Sequence, residues 1–234
     1  MKHPLPLITL LLIVLTVSAG KAQFAVGPIA AYNFNSFRGN KAFDVIPGFS
    51  VGGFVSYPLT TYATPKVELL YARQGANLID YPVLGSELYR KKSTVSFHSL
   101  QIPLMVDLGL PSLAEASLKP RLSLGAAYSF VLSARERYYN VINFGGRSLQ
   151  ERGYSTVTDQ FSRNQFSLVG AIGGEFKMFS MPVSMEFRYL YGLTDISQPG
   201  TRNDANLVRT FQEWGNDLRL GTLSFTVQVL LQKF

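Results

Sequence analysis

The sequence contains no cysteine. That excludes disulfides, thiolate metal sites and lipid attachment at a processed N-terminal cysteine, so stability must come from backbone pairing and packing. Charge is scarce too: only 16% of residues are Asp, Glu, Lys or Arg, against about 25% in soluble domains. Histidine is limited to His3 and His98. Carboxylates are then the other candidate metal ligands, and Asp204, Glu213 and Asp217 lack calcium-loop spacing. No metal and no cofactor are expected. The longest apolar run, Leu5 to Val17, is too short for a spanning helix, which needs about 20 residues. A phosphate cradle is also missing, since Gly170 to Gly174 reads as strand with no helix after it.

The N-terminus reads as a secretory signal over residues 1–22. Lys2 and His3 form a basic start, Leu5 to Val17 an apolar core, and Gly20-Lys21-Ala22 a small-x-small cleavage site. Residues 23–234 are then expected to form one β-barrel domain. The formal charge of +7 becomes +5 when Lys2 and Lys21 are removed. A basic exported chain suits anionic lipid or acidic polysaccharide. Its cations are scattered instead of forming one stripe, which argues against nucleic acid.

In that domain the apolar residues alternate with polar ones. From Leu223 to Leu231 every odd position is apolar, and the even positions are polar except Leu230, the period of two of a strand with two unlike faces. Eight such stretches occur: Phe24–Phe34, Gly48–Tyr57, Lys66–Gly75, Phe97–Leu108, Arg121–Leu132, Gln165–Lys177, Val183–Gly192 and Thr222–Gln232. Most approach the 9 to 11 residues, roughly, that a tilted strand needs to cross a bilayer. The connections alternate long and short, as in an outer-membrane barrel with long outer loops and short periplasmic turns. The expectation is all-β: an eight-stranded antiparallel up-and-down transmembrane β-barrel. A soluble periplasmic sandwich is the alternative fold.

Parity assigns the faces. Tyr32, Phe34, Phe49, Tyr128, Phe130, Phe166, Tyr189 and Tyr191 fall near the outer strand ends on the apolar parity, and Tyr57, Phe176 and Phe179 near the inner ends, as two aromatic girdles would. The opposite parity yields Glu68, Gln74, Gln101, Asp107, Arg121, Glu175, Lys177, Glu186 and Arg188. Charges inside a narrow barrel must pair. A network of Glu68, Glu175 and Glu186 with Arg188, Lys177 or Arg121 is therefore expected to plug the lumen, with Gln101 among its polar members.

Candidate chemistry is thin. His98 lies near Ser96 and Ser99, but it shares parity with Leu100 and Leu104 and faces the membrane interface, while Ser99 faces inward. No catalytic residue is expected. The long outer connections carry Arg135, Arg137, Tyr138, Tyr139, Arg147, Arg152 and Trp214, residue types that interfaces favour and that suit lipopolysaccharide phosphates. Recognition through these loops is the leading expectation. A narrow channel for small solutes is the alternative, and a lipid-modifying enzyme resting on His98 a third.

A set of short segments in order, Val67-Glu68-Leu69-Leu70-Tyr71, Leu100-Gln101-Ile102-Pro103-Leu104, Leu124-Gly125, Gly173-Gly174-Glu175, and Glu186-Phe187-Arg188-Tyr189 with Tyr191-Gly192-Leu193, resembles the PorT-like small outer-membrane β-barrel family of Bacteroidetes-type bacteria. The resemblance implies an eight-stranded barrel in the outer membrane of a Gram-negative bacterium. Through the member that names the family, it also implies an association with type IX secretion and with other envelope proteins. The motif positions Glu68, Gln101, Pro103, Glu186, Arg188 and Gly192 look like barrel architecture, and they transfer a fold more readily than a pathway.

Overall fold

Alternating side chains need two different environments, and a sheet that closes on itself supplies both without leaving an edge. In the computed structural model the chain does this with eight antiparallel strands: β1 (Ala25–Arg38), β2 (Ile46–Ser56), β3 (Ala63–Asp80), β4 (Glu87–Gly109), β5 (Leu118–Phe144), β6 (Asn164–Met178), β7 (Met181–Gly192) and β8 (Arg219–Val229). Each pairs with its sequence neighbour, and β8 pairs with β1 to close the barrel. The structure describes residues 24–39, 43–80, 83–84, 87–109, 118–144, 147–179, 181–196 and 218–233. The expected signal, Asp204, Glu213, Trp214 and Asp217 lie outside the described residues, as does the side chain of Arg147.

Each of the expected strands is present, but three are longer than the alternation suggested. β3, β4 and β5 run to 18, 23 and 27 residues, and a further strand, Arg147–Thr156, pairs with the far end of β5. The outer connections after β3 and β5 are therefore largely a β-ribbon standing on the barrel, where loops were expected. Period-two alternation marks a strand only when its faces meet different surroundings. Above the bilayer the outward face becomes polar, as at Arg73, Arg135 and Arg137, while the inner face mixes Val95 and Ala134 with Ser93 and Glu136, and the signal fades.

One extra residue shapes this ribbon. Between β4 and β5 the register passes from Ser99 opposite Val131 to His98 opposite Ser133, so Leu132 is a β-bulge, which bends and twists the strand that carries it. Below it the odd residues Ser123, Ala127, Ser129 and Val131 are buried. Above it the buried residues are the even ones, Ala134 and Glu136.

A second irregularity lies in the last strand. Ile29 is opposite Gln228, but Val26 is opposite Gln232, so β8 carries one residue more than β1 at Leu230 and Leu231. Leu230 turns in and packs beside Ile29, Phe54 and Leu70. Parity counted from Leu223 therefore does not carry through to the terminus.

Between its two ends the barrel's outer wall is apolar. Leu69, Leu104, Leu124, Leu168, Ile172, Phe187 and Leu223 all point away from the lumen and are exposed in the chain alone, a band that lipid would cover. Tyr32, Phe34, Phe49, Phe166, Tyr189 and Tyr191 project from the same face. At the inner end Phe179 sits in the tight turn between β6 and β7, with φ of 49° and its side chain 87% exposed. A left-handed conformation costs a non-glycine residue about 1–2 kcal/mol, and here it holds an exposed aromatic ring at the inner end of the barrel, where interfacial aromatics lie.

Val227 and Gln228 are adjacent in β8 but face lipid and lumen respectively. Val227→Lys is expected to abolish the heat-modifiable folded band in unboiled gels, since a lysine on the lipid face costs about 2–4 kcal/mol near the bilayer centre. Gln228→Lys, placed beside Glu68 and Glu186 but also beside Lys66, is expected to keep the folded band at a much higher yield than Val227→Lys.

Candidate functional site

Two features stand out from the barrel wall: the packed interior and the outer ribbon. At the centre of the interior is Arg188 of β7, buried with 3% exposure. Its guanidinium grips Glu68 through both terminal nitrogens, at 2.6 and 2.8 Å, and its Nε donates to Glu186 at 3.1 Å. Lys66 approaches from β3, with Nζ 3.2 Å from Asp107, 3.5 Å from Glu68 and 3.7 Å from Glu186. Gln228 donates to Glu186 at 3.0 Å. Toward the inner end Arg121 pairs with Glu175 and comes within 3.9 Å of Asp107. Four carboxylates thus share three cations in one connected cluster.

Geometry explains why such a cluster fits. Gly173 lies between Arg121 and Glu186 in register, and a Cβ there would come within 2.2 Å of the Met185 carbonyl oxygen and 2.6 Å of Glu186 Cβ. Only glycine lets the neighbouring strand and its acid come this close.

Above the charges lies a neutral hydrogen-bonded layer. Gln101 donates to Gln74 at 2.9 Å, Gln74 to Thr222 at 3.0 Å, and Thr222 to Asn35 at 3.0 Å. Asn33 donates to Ser50 at 2.7 Å. The void left among Arg188, Gln101, Asn33 and their neighbours is about 10 Å³, the size of a single water at most. Nearer the outer mouth the filling becomes apolar, with Phe37, Val95, Phe97, Val131, Phe161, Ile196 and Leu218 in one cluster. Phe161 meets Phe97 edge-on at 4.7 Å, and Ile196 is held across the mouth by backbone bonds to Ser162 and Leu218. The inner end opens into a vestibule of about 140 Å³ floored by Lys66, Asp107, Arg121 and Glu175.

The structure brings together Glu68, Glu186, Arg188, Arg121 and Glu175 of the expected network. It places Gln101 in the neutral layer, bonded to Gln74. Lys177 is a correction: it is exposed, because β6 ends one residue later and its side chain lies past the enclosed part of the barrel. Its role falls to Lys66, which shares parity with Glu68 two positions on, a signal the sequence carried. Asn33 and Asn35 could have been found in the same way, opposite in parity to Tyr32 and Phe34.

On the ribbon, Arg135, Arg137, Tyr139 and Arg152 share the outward face, with Arg152 stacked over Tyr139 at 4.8 Å. Tyr138 alternates to the inner face, where its ring lies against Gly153. Glu136, on that inner face, is buried and accepts a bond from Ser93. His98 Nδ1 sits 2.5 Å from Tyr71 Oη on the outward face, whereas Ser99 is buried on the other. These two therefore form no nucleophile and base pair.

A family model described as outer membrane protein beta-barrel domain matches residues 17–198. No curated protein matches the sequence. Among solved structures, Neisserial surface protein A is similar at 15% identity and a TM-score of 0.42, covering 90% of this chain and 99% of that one. The attachment invasion locus protein Ail of Yersinia pestis is similar at 11% and 0.40, covering 88% and 98%. CarO of Acinetobacter baumannii is similar at 11% and 0.39, with the same coverage.

Removing one member of a buried ion cluster strands its partner, at a cost of about 3–5 kcal/mol. Glu68→Ala is expected to lower the unfolding free energy obtained from urea titration of the folded barrel by that amount. The double variant Glu68→Ala with Arg188→Met is expected to recover much of the loss, and equal losses from single and double variants would contradict the coupling.

Proposed function

Because the chain belongs to the outer membrane protein beta-barrel domain family, we propose that this outer-membrane barrel is a non-enzymatic recognition protein with a plugged lumen. The barrel serves as a support that holds the ribbon outside the cell. The observation that carries this reading is a contrast. The middle of the barrel, among Arg188, Gln101 and Asn33, keeps a void of about 10 Å³ beyond the inner vestibule, while β3, β4 and β5 continue well past the barrel and end in a face rich in arginine and tyrosine. A transporter needs the opposite arrangement, with polar side chains lining an open path.

Export with a cleaved signal at 1–22 belongs to the same reading, as does recognition by Arg135, Arg137, Tyr139 and Arg152. The ordered segments around Glu68, Gln101, Glu186 and Arg188 support membership of the PorT-like group, and with it a role beside the type IX secretion machinery and contact with its envelope proteins.

The absence of cysteine makes single-cysteine reporters clean. Tyr154→Cys on the ribbon is expected to react with a membrane-impermeant maleimide in intact cells, and Lys177→Cys only after the outer membrane is permeabilised. Labelling in the reverse order would overturn the orientation and the recognition reading together. Deleting the gene is expected to leave type IX cargo in the periplasm; normal export would remove the secretion role and leave the barrel placement standing.

A further inference from the structure

The ribbon's outward face carries five cations that the barrel does not use. Cross-strand register places Arg73 opposite His98, Ser96 opposite Arg135, Thr94 opposite Arg137 and Lys92 opposite Tyr139. It continues with Arg137 opposite Tyr154 and Tyr139 opposite Arg152. Residues directly opposite in antiparallel strands share a face. Arg73, Lys92, Arg135, Arg137 and Arg152 therefore form one exposed basic surface across β3, β4, β5 and the strand Arg147–Thr156. Among the described residues, none of the five has a carboxylate within 4.0 Å; the ion pairs there go to Lys66, Arg121, Arg163 and Arg188.

The bulge at Leu132 is what turns these charges outward. With uninterrupted alternation, Arg135 and Arg137 would share the inward parity of Ser129 and Val131 and crowd onto the apolar cluster at the barrel mouth. The extra residue sends them to the outside and puts Ala134 and Glu136 inside.

This basic face also continues the lipid-facing wall. Leu69, Tyr71 and Arg73 follow one another on the outward parity of β3, and Phe49 of the aromatic girdle is opposite Arg73. Tyr71 stacks near both Phe49 and His98. The lowest cations thus sit at the level of the girdle, where headgroups lie, and the higher ones rise from there. Lys92, Arg137, Tyr139, Arg152 and Tyr154 border a groove of about 470 Å³, within the size range of small-molecule sites. Arginine forks suit phosphate oxygens, and tyrosine rings suit sugar faces and hydroxyls.

We infer that this face is a binding site for the phosphorylated sugar headgroup of an outer-leaflet glycolipid of the lipid A class. The inference rests on the outward placement of the ribbon proposed above and names its ligand. A lipid is the occupant that fits, because the surface continues the outward, lipid-facing side of the barrel wall and its cations begin at girdle height.

The test uses the full chain refolded into nanodiscs containing either diphosphoryl lipid A or the same lipid after phosphatase treatment, with retained lipid counted by mass spectrometry after delipidation steps. The expected result is retention of the phosphorylated form only, not displaced by millimolar inorganic phosphate. Arg73→Gln/Arg135→Gln/Arg137→Gln is expected to weaken retention on the order of a hundredfold, at roughly tenfold or less for each cation removed near a membrane surface. Lys177→Gln, at the opposite rim, is expected to change nothing. Should the triple variant fail to show the heat-modifiable band, Arg137→Gln and Arg152→Gln singly are each expected to weaken retention severalfold. Equal retention by wild type and folded variants would overturn the proposal, as would equal retention of the dephosphorylated lipid or displacement by free phosphate. If Tyr154→Cys still labels from outside in that case, the ribbon's placement survives and only its ligand is wrong.

Discussion

The ion cluster around Arg188 is the constraint on which the rest of the barrel depends. A chain that alternates apolar and polar residues and turns its apolar face to lipid must put its polar face inside a space only a few side chains wide. Each ion brought there loses several kcal/mol of hydration. The loss is tolerable because Glu68 meets Arg188 through two parallel bonds, Glu186 takes a third, and Lys66 bridges Glu68, Glu186 and Asp107. These partners come from β3, β4 and β7, so the cluster ties opposite walls of the barrel together. Gly173 is part of the same solution, since any side chain there would occupy the space Glu186 needs.

The layers above follow from it. Once the centre is ionic, Gln74, Gln101, Asn35 and Thr222 bond to one another in a neutral layer above it, and the apolar cluster of Phe37, Phe97 and Phe161 closes the mouth. The strands that outgrow the barrel inherit its register until Leu132, where one added residue exchanges the faces. The same bulge therefore places Ala134 among the mouth residues and turns Arg135 and Arg137 outward.

Much of this was legible in the sequence wherever a strand separates lipid from lumen. Glu68, Glu186 and Arg188 were found because their parity opposes Leu69, Phe187 and Tyr189, and that contrast is what a period-two reading detects. Lys66 is hard to read because it begins its predicted strand, where parity carries least weight. Lys177 misleads for the mirror reason: its parity is inward, but it lies where the barrel no longer encloses it. The ribbon was hidden because water bathes its outward face, leaving no apolar stripe to mark it. A bulge leaves no compositional trace either, so the faces of Arg137 and Tyr138 could be assigned only from register.

The packing of the interior against conduction is most directly examined by planar-bilayer recording of the refolded wild-type chain. A lumen closed by the Arg188 cluster and the aromatic mouth predicts a flat baseline with no single-channel steps at any holding potential the bilayer tolerates. Sustained, reproducible steps would contradict it and mean that the charged layer lines a path instead of blocking one.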